Sequence, residues 1–211
     1  MRDDRRMSEQ LLLPGIDPPP RPLPRPRSKV RRKDQARHSL FFAIFPRPED
    51  AAAIAALGAR LDERHGLKGT LTAAHRLHVT LHALGDRDTV PPAKVQDALE
   101  AAATLAIPSF DVVFDEAMTY AKNNAFVLCG NDGVAALAEF RQRLGEALAD
   151  AGFKPERSFT PHMTVAYTKL KVDSHTIDPI RWRAGSFALI DSHVGEGIHE
   201  VIGQWPPVRP A

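Results

Sequence analysis

The sequence has almost no cysteine, and this shortage excludes several classes of protein. Cys129 is the only cysteine in 211 residues, so the chain cannot form an intramolecular disulfide or a cysteine-ligated metal cluster. The thiol follows the apolar stretch Phe126-Val127-Leu128 and precedes Gly130. This setting predicts a buried strand end and not a reactive thiol.

Long apolar runs are also missing. A membrane-spanning helix needs about 20 consecutive apolar residues, and no run in this sequence approaches that length. The N-terminus has no apolar core of the kind found in a secretory signal. We therefore expect a cytoplasmic protein that does not associate with membranes. We also expect a monomer that needs no cofactor.

Excess basic charge is confined to the first 37 residues. This segment has eleven Lys and Arg against five Asp and Glu, a net charge of +6, which leaves −4 for residues 38–211. It also holds seven of the 18 prolines. Proline has no backbone N–H donor, and the segment has too few apolar side chains to form a core. Residues 1–37 are therefore predicted to be a disordered or polyproline II tail. The tail is either a solvated extension or a weak electrostatic tether to RNA, and residues 38–211 form the folded domain.

One short motif occurs twice. Residues 77–81 read Leu-His-Val-Thr-Leu, and residues 161–165 read Pro-His-Met-Thr-Val. Side chains alternate between the faces of a β-strand, so each His-x-Thr places an imidazole and a hydroxyl on one face, about 7 Å apart. Two such half-sites in one cleft would supply two imidazoles to transfer protons and two hydroxyls to hold an oxyanion. In-line displacement at a phosphodiester needs these groups.

The predicted elements around the motifs repeat as well. Each unit contains a strand, a helix and the motif strand: residues 39–45, 49–65 and 77–84 in the first, and residues 125–129, 133–151 and 159–168 in the second. The other predicted elements are a helix, a strand and a C-terminal hairpin: residues 93–105, 107–120, 185–193 and 197–203.

These residues resemble a known superfamily. The apolar run Leu40 to Ile44, the two His-x-Thr motifs and the terminal Trp205-Pro206 are similar to the two-histidine phosphoesterases. Within that superfamily the chain resembles the branch of 2′-5′ RNA ligases and RNA 2′,3′-cyclic phosphodiesterases, over roughly residues 39–207. The resemblance implies a bilobed α+β fold. Two pseudo-symmetric antiparallel sheets, backed by helices, would place the motifs on either side of a central cleft.

The resemblance also implies the chemistry. It predicts metal-independent hydrolysis of the 2′,3′-cyclic phosphate ends of RNA to 2′-phosphates, with His78 and His162 as the catalytic residues and Thr80 and Thr164 as the phosphate ligands. An imidazole with an ordinary pKa near 6.5 can accept a proton from water or donate one to the departing ribose oxygen. With an RNA 5′-hydroxyl in place of water, the same groups would join RNA ends through a 2′-5′ bond, which is the possible ligase activity that the resemblance implies. The sequence does not decide which histidine is the acid, although the resemblance favours His78.

Two positions depart from the pattern of that branch. His82 and Tyr167 stand where its members commonly carry basic residues. Alternation puts His82 on the face of the first motif, so it is a candidate substrate contact. Tyr167 is another, because it can stack or donate a hydrogen bond but cannot form an arginine fork. Lys169 or Arg157 could supply the missing charge.

Other interpretations of the histidines remain open. On a helix, His75, His78 and His82 would share a face and could bind a metal, but the local alternation favours a strand, and we predict no metal site. The motif histidines could also be structural. The cleft could serve a phosphoesterase of small cyclic nucleotides, which the acidic balance of residues 38–211 favours. It could equally bind RNA or nucleotides without turnover.

Overall fold

The computed structural model describes residues 37–86, 90–154 and 158–205. The predicted tail therefore lies outside the described residues, except for Arg37, with which the first strand begins. The helices and strands follow in chain order: β1 (Arg37–Ile44), α1 (Pro48–His65), β2 (Thr70–Leu71), β3 (Val79–Asp86), α2 (Pro92–Ala103), β4 (Phe110–Tyr120), β5 (Ala125–Cys129), α3 (Ala135–Asp150), β6 (His162–Tyr167), β7 (His175–Ala184), β8 (Phe187–Val194) and β9 (Ile198–Trp205).

The strands form two antiparallel sheets. One has the order β3-β1-β8-β9 and the other the order β2-β6-β5-β4-β7. In each sheet the motif strand pairs with the first strand of its own unit, β3 with β1 and β6 with β5. The C-terminal hairpin β8-β9 extends the first sheet along the free side of β1. The predicted α+β fold with two antiparallel sheets is confirmed.

Two strands were not predicted from the sequence. β2 has only two residues, both exposed, so it leaves no periodic pattern. β7 is the edge strand of its sheet and contains Pro179, which fits an edge position because proline cannot donate to a ladder. Its pairing with β4 is irregular between Phe114 and Glu116. Both strands enlarge the second sheet, so the two halves of the molecule are not equal.

The helix of each unit packs against the motif strand of the other unit. At Gly58 of α1, a Cβ atom would lie 3.1 Å from the Cβ of Val165 in β6. At Gly145 of α3, a Cβ atom would lie 3.0 Å from Cε1 of His82 in β3. One hydrophobic core joins the helices to both sheets, and this fixes the positions of the motif strands relative to each other.

Helix α1 has clear signals at both ends. It begins at Pro48, with Glu49 and Asp50 in the first turn, where acidic side chains favour the positive end of the helix dipole. It ends at Gly66, whose φ of 59° is the left-handed conformation that glycine adopts without strain. The chain then turns back toward β2 and the first motif. None of the helices in the described segments has the length and apolar character needed to cross a membrane.

Candidate functional site

The two motif strands lie next to each other where the sheets meet. Residues of β3 and β6 approach within 8 Å, measured between Cα atoms. The positive charge of His162 contributes to lowering the pKa of His78, so the two imidazoles are within electrostatic reach of each other. The structure thus brings both motif histidines to one region, which we call the cleft.

Each motif histidine is oriented by a backbone carbonyl two residues before it. Nδ1 of His78 donates to the carbonyl of Arg76 at 2.7 Å, and Nδ1 of His162 donates to the carbonyl of Thr160 at 2.8 Å. A carbonyl can only accept, so Nδ1 carries a proton in both rings. Nε2 is therefore the atom that each imidazole can use for proton exchange with a substrate.

Aromatic rings enclose the first of these imidazoles. Phe41 stacks on His78 with 5.1 Å between ring centroids, Phe45 lies at 5.6 Å, and His199 meets the ring edge-on at 5.2 Å. Burial is the main reason why the pKa of His78 lies below its ordinary value, and the charge of Arg76 lowers it further. The hydrogen bond to the backbone opposes this shift without reversing it. His78 is therefore neutral in the free protein at pH 7.

The second imidazole has a tyrosine beside it. The ring centroids of Tyr120 and His162 are 5.0 Å apart, with the rings tilted by 56°. The hydroxyl of Tyr120 is buried and has no hydrogen-bond partner in the described segments. Burial raises the pKa of this phenol, which keeps it protonated. The hydroxyl is a donor available to a ligand bound next to His162.

Sequence reasoning missed Arg76, which supplies a positive charge to the cleft. Its buried Nε has no hydrogen-bond partner, and the side chain forms no ion pair within the described part of the chain. Nη1 lies 3.1 Å from where a Cβ atom of Gly197 would be, so the guanidinium packs against the turn between β8 and β9. Its charge lowers the pKa of both His78 and His199. The signal was present as an arginine two positions before a motif histidine.

A third histidine of the cleft, His199, was also missed. It lies on β9 opposite Ser192 of β8, and its ring meets Phe41 edge-on at 5.7 Å. Its Nδ1 is buried without a hydrogen-bond partner among the described residues. Burial, followed by the charges of His78, Arg76 and His75, lowers its pKa to about 4. The predicted hairpin contained this residue, but no repeat distinguished it.

We expect His199 to make the protein less stable at acidic pH. Its pKa is about 4 in the folded protein and 6.5 when unperturbed, so the unfolded state binds more protons between these values. The free energy of unfolding should therefore fall as the pH drops from about 6.5 to 4, by on the order of 1–3 kcal/mol from this residue. Urea unfolding of the wild type and of the His199→Phe variant, repeated at several pH values across this range, measures the free energy of unfolding. The stability difference should change with pH, and a constant difference would contradict the assignment.

A sequence profile of one superfamily matches residues 45–196, which is most of the chain. The chain belongs to the 2′-5′ RNA ligase superfamily. Escherichia coli LigT in its apo form is similar in structure, with a TM-score of 0.67 and 23% identity over 83% of this chain and 100% of LigT. The protein TT0787 of Thermus thermophilus has a TM-score of 0.59 and 23% identity over 80% of this chain and 97% of that protein. Comparison with curated protein sequences gives no significant match.

These likenesses agree with the two-histidine phosphoesterase resemblance found in the sequence. LigT has also been solved with 3′-AMP, with a TM-score of 0.65 and 23% identity over 82% of this chain and 99% of that chain. At this identity the solved structures show a shared fold. The profile thus shows that the chain is a member of the 2′-5′ RNA ligase superfamily. The solved structures show that the chain shares its fold with LigT.

A bulge in β3 directly follows Thr80, the threonine of the first motif, and changes the orientation of the next residues. Thr80 pairs with Ala43 of β1, but His82 pairs with the adjacent Phe42, so Leu81 is an extra residue. A bulge interrupts the alternation of side chains. Thr80 lies opposite Ala43, on the face of the sheet that carries Phe41 and points to the cleft. The extra residue turns His82 to the face of the core.

His82 therefore does not share a face with the first motif, and the alternation that predicted this was misleading. It is only 4% exposed, and its Nε2 lies 2.9 Å from the carbonyl oxygen of Arg141 in α3. His75 and His82 also fail to share a helical face with His78, because a single 3-10 turn ends at Arg76 and β3 begins at Val79.

The second motif has a bulge at the same place. Thr164 pairs with Val127 of β5, and Ala166 pairs with the residue next to Val127, so Val165 is the extra residue. Ala166 is fully buried, whereas Tyr167 returns to the cleft face and is 52% exposed. The hydroxyls of both motif threonines have no hydrogen bond to another described residue. They are free to bind a ligand.

Tyr167 lies about 10 Å beyond the second threonine along β6. It shares an open depression with Lys68, Lys169 and Asn124. Lys169 therefore adds positive charge beside Tyr167, while Arg157 lies outside the described residues. Cys129 is the buried last residue of β5, and burial raises its pKa to about 11, as expected for an unreactive thiol.

Proposed function

We propose that this member of the 2′-5′ RNA ligase superfamily is a metal-independent phosphodiesterase that hydrolyses the 2′,3′-cyclic phosphate ends of RNA. One observation carries the proposal. Two imidazoles, each with Nδ1 bound to a backbone carbonyl, lie within electrostatic reach of each other on adjacent motif strands. A pair of histidines in this arrangement can provide one base and one acid for a single displacement at phosphorus.

His162 is assigned as the base and His78 as the acid. Nε2 of His162 would accept a proton from water as the water oxygen attacks phosphorus. The bond from phosphorus to the 3′-oxygen would break, and Nε2 of His78 would donate its proton to that oxygen, leaving a 2′-phosphate. The anionic substrate raises the pKa of His78 through its negative charge, and so protonates the ring that is neutral in the free protein.

Three groups would hold the phosphate. The free hydroxyls of Thr80 and Thr164 face the cleft and can donate to the non-bridging oxygens. The guanidinium of Arg76, which has no acidic partner among the described residues, can pair with the negative charge. These donors bind more strongly as charge develops in the transition state, which lowers the barrier.

A phosphoesterase of small cyclic nucleotides is the second candidate. Residues 38–211 have a net charge of −4, so they provide little electrostatic attraction for a polyanion such as RNA. The nucleotides bound to LigT, 3′-AMP and ATP, are also small. A comparison of 2′,3′-cyclic mononucleotides with oligonucleotides carrying the same end separates the two functions, because only an RNA enzyme gains kcat/KM from the longer chain. Joining of RNA ends through a 2′-5′ bond would use the same groups, with a 5′-hydroxyl in place of water as the nucleophile.

The decisive assay is turnover of a 2′,3′-cyclic phosphate in the presence of EDTA. We expect full activity with the chelator, release of a 2′-phosphate, and a rate that rises and then falls with pH, because one imidazole must be neutral and the other protonated. The pKa of His78 is low in the free protein, so kcat/KM should decline at a lower pH than kcat does. Loss of activity with EDTA, or binding without turnover, would reject the proposal.

A further inference from the structure

A second cluster of metal-binding side chains lies on the opposite face of the first sheet. His38 of β1 pairs with His193 of β8, and Asp191 lies two residues before His193 on the same strand. Alternation places all three on the core face, whereas Phe41, which stacks on His78, points to the cleft. The cluster is therefore separate from the proposed phosphodiesterase site.

The side chains of this cluster converge. Nδ1 of His38 lies 3.1 Å from each carboxylate oxygen of Asp191, and the ring centroids of His38 and His193 are 4.3 Å apart. One ligand atom from each of the three residues lies within 4.8 Å of the other two. The carboxylate of Asp191 is almost completely buried, with 1% exposure, while both imidazoles are partly exposed. An ion could therefore enter from the side of the histidines.

We propose that His38, Asp191 and His193 bind a divalent transition-metal ion, with zinc as the ion that the ligands suit best. Two imidazoles and one carboxylate form a common set of ligands for zinc, with bonds of about 2.0–2.2 Å. Tetrahedral bonds of that length place ligand atoms about 3.3 Å apart, so the side chains must close slightly around the ion.

A simple ion pair between His38 and Asp191 does not account for the whole cluster. Nε2 of His193 is buried and has no hydrogen-bond partner in the described segments. The carboxylate of Glu200 on β9 lies 3.7 Å from this nitrogen and can provide a fourth ligand. A doubly charged ion would neutralise Asp191 and Glu200 together while both histidines stay uncharged.

Zinc titration of the full chain tests the site. The protein is stripped with EDTA, then titrated with zinc alone by calorimetry and with cobalt to follow its absorption. We expect one high-affinity site, a higher melting temperature with zinc, and an affinity at least ~100-fold lower in Asp191→Asn and in His193→Gln. His193 is partly exposed, so its variant is expected to fold even if Asp191→Asn does not.

Two control variants locate the ion. Nε2 of His65 and Nε2 of His175 are 3.1 Å apart and form another pair of imidazoles, but no carboxylate of the described residues is placed with them as a metal ligand. The double variant His65→Gln with His175→Gln should retain the zinc site, as should His162→Ala. Zinc affinity unchanged in His193→Gln, lost in His162→Ala, or absent from the wild type would overturn the proposal. The zinc titration and the phosphodiesterase assay test separate proposals. Activity in EDTA would not contradict zinc binding at this site, and a lack of activity would not contradict it either.

Discussion

Replacement of His78 or His162 by alanine should lower turnover of a 2′,3′-cyclic phosphate by on the order of 10²–10⁴-fold, because each removes the proposed acid or the proposed base of the reaction. The double variant should be far less impaired than the product of the two losses, since the imidazoles act in one displacement. Steady-state kinetics on a 2′,3′-cyclic mononucleotide, with circular dichroism to check folding, provides the measurement.

Variants outside the acid–base pair give the comparison. Thr80→Val and Thr164→Val keep the branched shape but delete a hydroxyl, so a loss of about 10-fold in turnover is expected from each. His175→Ala removes an imidazole from β7, outside the cleft, and should leave kinetics unchanged. Substantial activity in the double variant would show that the reaction takes place elsewhere on the protein.

Replacement of Arg76 by glutamine should reduce kcat/KM by about 10–100-fold. A hydrogen bond to a charged group contributes about 1.5–3 kcal/mol, and the guanidinium has no acidic partner among the described residues that competes for it. Inorganic phosphate should also inhibit the variant more weakly. The carbonyl of Arg76 that orients His78 belongs to the backbone and is retained in the variant.

The pKa of His78 distinguishes this role from a structural one. The charge of Arg76 helps to lower that pKa, so removal of the charge should raise it, as followed by NMR titration of the ring. Lys169→Gln removes one positive charge from the depression around Tyr167 and should change kcat/KM less than about twofold. An equal effect of both variants would indicate a general influence of charge and no specific contact with phosphate.

The sequence predicted the elements better than their exact registers. Both motif strands follow alternating patterns, and α1 has a proline at its start and a glycine at its end. Local sequence signals were therefore sufficient to predict these three elements. The bulges at Leu81 and Val165 leave no such signal, because both residues are ordinary apolar strand residues. A one-residue bulge reverses every later side chain, and for this reason the expected orientation of His82 was wrong.

The surroundings of the site depend on contacts that are distant in sequence. His199 reaches His78 only because β9 joins the sheet through β8, far along the chain from the first motif. Arg76 lies in a 3-10 turn that carries no periodic pattern. The repeat predicted the imidazoles and hydroxyls of the proposed site, whereas the charge of Arg76 and the rings around His78 could be found only from the fold.

The rings of His78 and His162 each donate a hydrogen bond to the same kind of uncharged acceptor, a backbone carbonyl two residues earlier. A carboxylate there would raise the pKa of its ring, whereas a carbonyl leaves the proton affinity more dependent on what occupies the cleft. In the proposed reaction, opening and closing of the cyclic phosphate are the two directions of one path, and the two rings exchange the roles of proton donor and acceptor between them. Two equivalent neutral acceptors are compatible with either role for each ring. The aromatic enclosure of His78 is then the feature that makes the two rings unequal.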